Sequence, residues 1–188
     1  MPGMQSLSGK FLIAMPGIGD TRFEKSVVLL CMHTPAAAMG VVVNKPRKTV
    51  TVGDVLGQLG IEPARTLPAR QVLEGGPVKP DRGFVLHSED FAAGASTQDV
   101  APGIRLTATR EVLDALASEE APRDYVLALG YAGWGPGQLE NELAHNVWLV
   151  GEPQKEIVYG ARHGEKWADA IRDIGVDPVQ LTGAAGKA

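Results

Sequence analysis

Residues 129–150, LGYAGWGPGQLENELAHNVWLV, decide the fold because their hydrophobic period changes three times. The run that enters them, residues 125–132, is short, apolar and bounded, as a buried strand is. Gly133, Trp134 and Gly135 break that run. Pro136 follows where a first helical residue tolerates a missing N–H. Gln138 lies three residues after Gly135, so its side chain can fold back on a free amide there. Leu139 and Leu143 sit one helical turn apart on one side, with Glu140 and Glu142 off it. Residues 146–150 resume as a strand. The expected unit is strand, tight glycine turn, two-turn helix, strand.

The rest of the 188-residue chain is sized for one domain with a core of about 9–175 and loosely held termini. A hydrophobic fraction of 44% can build that core, and a mean hydropathy of −0.02 argues against disorder. No apolar run approaches the roughly 20 residues that cross a bilayer. Residues 1–10 show no basic region followed by an apolar one. Cys31 is the single cysteine, which excludes an internal disulfide framework. A soluble cytoplasmic protein is expected. The net charge of −4 is uneven: residues 1–88 hold 10 Lys/Arg against 6 Asp/Glu, and residues 89–188 hold 8 against 16. A pI of 5.6 argues against direct nucleic-acid binding outside a local patch in the first half.

Residues 10–15 read as a short strand. Residues 26–33 are apolar on both faces, as a covered central strand is, and residues 40–44 read as its hairpin partner, stopped at Lys45 and Pro46. Thr51 caps a short helix that turns Val52, Val55, Leu56 and Leu59 inward. Residues 71–74 and 83–87 read as strands, 88–102 as a surface excursion, and 104–108 as a strand. Thr109 starts a helix burying Val112, Leu113 and Leu116. Residues 156–159 read as an edge strand. Trp167, Ala170, Ile171 and Ile174 mark a final helix closed by Gly175. Strands cluster early with few helices between them, so an α+β fold is expected rather than a doubly wound α/β sheet.

Cys31 and His33 are two apart on a strand and should share a face. A thiol needs a base or a positive field to become a nucleophile, and His33 or His87 could supply it. Free cysteine in an apolar strand is more often a small hydrophobe. The four histidines show no metal-ligand spacing, so no metal is expected. Residues 74–77, EGGP, mark a backbone that bends sharply or approaches something closely. They are not a phosphate loop, because no Gly-Lys-Ser/Thr follows. Trp134 and Gln138 flank a helix start that could meet an anion, although Glu140 and Glu142 would repel one. Lys45, Arg47, Lys48, Arg65 and Arg70 could form a basic patch, with no aromatic residue interleaved.

The segments GKFLIAMPGIGDTRFEKSVVLLCMH, AMGVVVNKP, VLEGGPV, GFVLHS and LGYAGWGPGQLENELAHNVWL together resemble the YqgE/AlgH family of bacterial proteins. The resemblance spans residues 9–175. It implies an α+β fold of coiled, mostly antiparallel β-sheets, one of them barrel-like, with surrounding helices, and a cytoplasmic location. Members are labelled uncharacterised or transcriptional regulators, and the family supplies no catalytic residues to carry over. The expected function is a non-enzymatic regulatory module that binds a small molecule or a protein partner, with no cofactor. Its candidate ligand-binding residues are Cys31, His33, Asn44, Gly75, Gly76, His87, Trp134 and Gln138. The alternative is an enzyme using Cys31 with His33 or His87. Oligomeric state is open.

Overall fold

Tyr125–Trp134 form one ten-residue strand, which runs through the Gly133–Trp134 break and bends instead at Gly130, where φ is +79°. The computed structural model describes residues 5–17 and 20–185. In chain order its elements are β1 (Phe11–Ala14), β2 (Val27–His33), β3 (Ala38–Val42), β4 (Pro46–Thr51), α1 (Val52–Gln58), β5 (Gln71–Glu74), β6 (Val78–His87), β7 (Thr97–Ala101) and β8 (Ile104–Thr107). There follow α2 (Arg110–Ala117), β9 (Tyr125–Trp134), α3 (Gln138–Ala144), β10 (Trp148–Gly151), α4 (Lys155–Tyr159), α5 (Lys166–Asp173) and α6 (Pro178–Ala185). The architecture is α+β.

The strands run β10-β1-β2-β3-β9-β6-β8-β7 in one curled half-barrel sheet, with β5 joining β9 and β4 joining β5. All pairings are antiparallel except β5 with β9. β9 is the shared rail. β6 lies along one edge, while β5 meets Ala128 and Leu129 on the other and β3 meets residues 132–134 further on. The curl brings β7 back towards β2, where the Gln98 side-chain amide donates to the Cys31 carbonyl at 2.7 Å.

β2 is covered on both faces, as its unbroken apolar run demands. Val27, Leu29 and Cys31 enter the core under α4 and α5, while Val28 and Leu30 pack with Trp134, Trp148 and Leu139 of α3 on the other face. A third cluster seats Leu56 of α1 and Val112 and Leu116 of α2 on Val85 and Leu127. Thr51 caps α1 in a reciprocal box. Its hydroxyl accepts the Asp54 amide at 3.1 Å, and the Asp54 carboxylate accepts the Thr51 amide at 2.9 Å.

Gly75, Gly76 and Gly130 mark a close approach of two backbones. A Cβ on Gly75 would lie 2.2 Å from Gly130 O, and one on Gly76 would lie 2.1 Å from the Tyr131 carbonyl carbon. Gly75 also accepts the Val42 amide and donates to Leu129 O, so it ties β3 to β9 at the bend.

Several elements differ from expectation. Residues 46–51 form β4 instead of a stop; Pro46 opens that strand, a position where proline is tolerated. The 88–102 excursion contains β7, a polar edge strand paired with β8. Residues 156–159 lie in a helix, which buries Val158 and packs Ile157 and Tyr159 against the core. α3 starts at Gln138 behind a left-handed Gly137, not at Pro136, although Gln138 does accept the Gly135 amide at 3.1 Å. Leu59 ends α1 and is 44% exposed. The tail expected to be loose includes α6.

Candidate functional site

The eight residues expected at a site do not meet in one place. Cys31 is the extra residue of a β-bulge: Leu30 pairs with Gly40 and Met32 with Met39. That bulge turns Cys31 and His33 to opposite faces, which corrects the expectation that they share one. Cys31 is 2% exposed in the core under α5, and its Sγ donates to Leu29 O at 3.5 Å. Burial pushes the thiol up to about 12. His33 instead faces α3. Its Nδ1 accepts the Leu7 amide at 3.0 Å, so Nε2 carries the proton and meets Glu140 Oε1 at 2.6 Å. That bond holds the Glu140 carboxyl below its usual range.

His87 is fully buried and edge-on to Phe91. Its Nδ1 donates to Ser88 O at 2.9 Å, and its Nε2 accepts from Thr107 Oγ1 at 2.8 Å. Burial pushes its pKa down. Trp134 donates to Glu142 at 2.8 Å and stacks edge-to-face on Trp148. Asn44 spans a turn: its Oδ1 accepts the Val27 amide at 2.9 Å, and its Nδ2 donates to Lys25 O at 2.7 Å. Asn44 and Gly76 each border an open cleft; the others line none of the clefts described below. Among the described residues, no group of three or more His, Cys, Asp or Glu could hold a metal ion.

A cleft of about 300 Å³ opens elsewhere, between the start of β9, the strand entry at residues 69–71 and the segment after α4. Val52, Val126 and Leu127 form its apolar side; Arg70, Tyr125, Tyr159 and His163 form the polar one. The Arg70 guanidinium lies 4.3 Å from the centre of the Tyr125 ring, and its Nη1 donates to Tyr125 O at 2.8 Å. Arg70 forms no ion pair with a described residue, and no Asp or Glu lines the cleft. Tyr125 is 2% exposed, and its hydroxyl is buried without a hydrogen-bond partner. The same is true of His163 Nδ1. Each orphaned group costs about 1–3 kcal/mol.

The electrostatics of this wall are set from behind. The Lys166 ammonium, 2% exposed, donates to Val43 O at 2.8 Å and Val158 O at 3.0 Å, and burial pushes it down to about 7. Burial, followed by the charge of Lys166, pushes His163 down to about 4, so this imidazole is neutral at pH 7. Burial also pushes the Tyr159 phenol up, and it donates to Gly103 O at 2.9 Å. Sequence reasoning placed Arg70 only in a diffuse basic patch and passed over Tyr125, His163 and Lys166. One signal was available: Lys166 falls four residues before Ala170, on the apolar stripe of an otherwise clean amphipathic helix.

A family model described as AlgH-like matches residues 11–179. This chain belongs to the AlgH-like family. An AlgH-family solution structure from Pseudomonas aeruginosa superimposes with a TM-score of 0.77 at 35% identity, covering 100% of this chain and 99% of that one. A UPF0301 protein of Caulobacter vibrioides is 48% identical over 97% of this chain and 94% of its own length. One from Paracoccus denitrificans is 42% identical over the whole of both. A crystal structure from Corynebacterium diphtheriae, at 20% identity and a TM-score of 0.71, shares the fold. As an AlgH-like protein, this chain has the coiled antiparallel architecture its motifs implied. No helix among its described residues is long and apolar enough to cross a membrane.

Proposed function

We propose that this AlgH-like protein is a non-enzymatic, regulatory binding module, and that its ligand is a small organic monocarboxylate held in the Arg70–Tyr125–His163 cleft. The observation that carries this reading is an acid-free cleft with an apolar side, an arginine without an acidic partner and two buried polar atoms lacking hydrogen bonds. A planar guanidinium matches the fork of a carboxylate, and its stacking on Tyr125 fixes the plane in advance. The flat apolar part of the ligand lies against Val126 and Leu127. Neutral His163 offers a hydrogen bond without adding charge. A cleft that sets an apolar side against a few convergent polar groups is a usual form of a small-molecule site.

The thiol-enzyme alternative has little support. A nucleophile needs its thiolate, and Cys31 is buried, raised to about 12 and turned away from His33. Titration with sodium benzoate, followed by amide chemical shifts, tests the binding reading. Saturable shifts are expected at Gln71, Gly160 and His163, and Arg70→Met should weaken them roughly tenfold. Tyr125→Phe should weaken binding while raising the stability of the free protein, since it deletes an orphaned hydroxyl. Shifts absent from the cleft with benzoate, cyclohexanecarboxylate and acetate alike would sink this assignment.

A further inference from the structure

A second cleft, of about 360 Å³, lies on the other side of His163. It is lined by Lys25, Asn44, Lys45 and Trp167 together with the apolar Ala168 and the exposed Val179. Neither Asp nor Glu lines it. Lys25 Nζ sits 5.6 Å from the centre of the Trp167 ring. The Lys45 ammonium donates to the Glu24 carbonyl, and burial, aided by the charge of Lys25, pushes its pKa down against the opposing pull of Glu24. Glu24 forms no ion pair with either lysine among the described residues. Both ammonium groups therefore belong to one cleft wall, and no carboxylate lines the cleft with them.

The backbone also bends unfavourably to present one of them. Lys25 has φ +52°, a left-handed conformation that a side chain disfavours. Asn44 enforces it from below by grasping the Lys25 carbonyl and the Val27 amide. A plain turn here would be made by glycine at no cost. Arg22, across Lys45 in the neighbouring cleft, is tied to Asp20 by two bonds of 3.1 and 2.8 Å and is not available to share the charge.

We propose that this cleft binds the phosphoryl group of a soluble phosphate ester, with Lys25 and Lys45 as the paired cations and the Ala168–Val179 side receiving the organic part. Ammonium groups are compact point charges that suit tetrahedral phosphoryl oxygens, whereas the planar fork of Arg70 suits a carboxylate. A net charge of −4 weighs against a nucleic-acid ligand.

Inorganic pyrophosphate at about 0.15 M salt is the first probe, read by amide shifts. Saturable shifts are expected at Lys45, Gly164 and Ala168, and each of Lys25→Ala and Lys45→Ala should weaken binding roughly tenfold. Lys25→Gly separates ligand binding from architecture: it relieves the left-handed strain, so stability should hold or rise while affinity falls. Phenyl phosphate should shift Ala168 and Val179 more than pyrophosphate does. Shifts spread evenly over all surface lysines, or wild-type affinity in Lys25→Gly, would overturn the proposal. So would a short DNA duplex displacing pyrophosphate at lower concentration. Benzoate binding at Arg70 is a separate measurement, so either site can fail alone.

Discussion

Lys166 is a buried amine that donates to two backbone carbonyls and, among the described residues, pairs with no carboxylate. Its pKa falls from 10.5 in the unfolded chain to about 7 in the folded one. Between those values the unfolded chain holds the extra proton, so the contribution of this amine to stability rises with pH across that window and is least below pH 7. Lys166→Met abolishes this dependence. In urea unfolding, the wild type should gain about 2 kcal/mol on the variant between pH 7 and pH 9. Parallel curves would show that the amine stays charged in the fold. The sign is robust because His163, pushed down to about 4, contributes its own rise below pH 6.5 and is finished before this window opens. None of this was legible at the residue level from sequence. A lysine on an apolar stripe was visible, but the carbonyls that hold it come from residues 123 and 8 positions away.

At the scale of elements, the glycines of 74–77 and 129–133 act together. Gly76→Ala would drive a Cβ into the backbone of β9 and should cost about 3 kcal/mol or more. Gly137→Ala, also at positive φ (+73°) but with open space around it, should cost only about 1 kcal/mol. Equal losses in paired denaturation curves would remove close approach as the explanation. Residues 129–150 announced β9, α3 and β10 because apolar period and turn residues agree there. The same logic revealed α1 through Thr51 and α5 through its stripe. It failed where one long-range contact overrides local pattern. β4 pairs at Pro46 and Thr51 through a strand far along the chain, and α4 packs Val158 into the core from a helix. The candidate site was least visible, since its walls come from three segments with no shared motif.

The whole molecule is built on a half-barrel sheet whose β7 edge curls back over β2, and Cys31 lies at that closure beneath the Gln98 amide. Its thiol therefore becomes reactive only when the closure opens. Iodoacetamide labelling at neutral pH should be negligible in native buffer and should rise along a urea series with the fluorescence of Trp134, Trp148 and Trp167. All three indoles are buried, on two faces of the sheet. Coincident transitions mean one cooperative unit. Labelling well ahead of fluorescence would mean that β7 detaches first, and rapid native labelling would restore Cys31 as a chemical group.

The unpaired residue in β2 carries a consequence for how the chain can vary. Side chains along a strand obey an odd–even count, and one surplus residue reverses that count for everything after it. Removing Cys31 would take out that surplus, leaving Met32 opposite Met39 and His33 opposite Ala38, so the imidazole would keep its face towards Glu140 while Met32 took the place of the thiol. A one-codon loss is therefore absorbed at the bulge, whereas the same loss earlier in β2, where no surplus exists, would invert the strand's two sides.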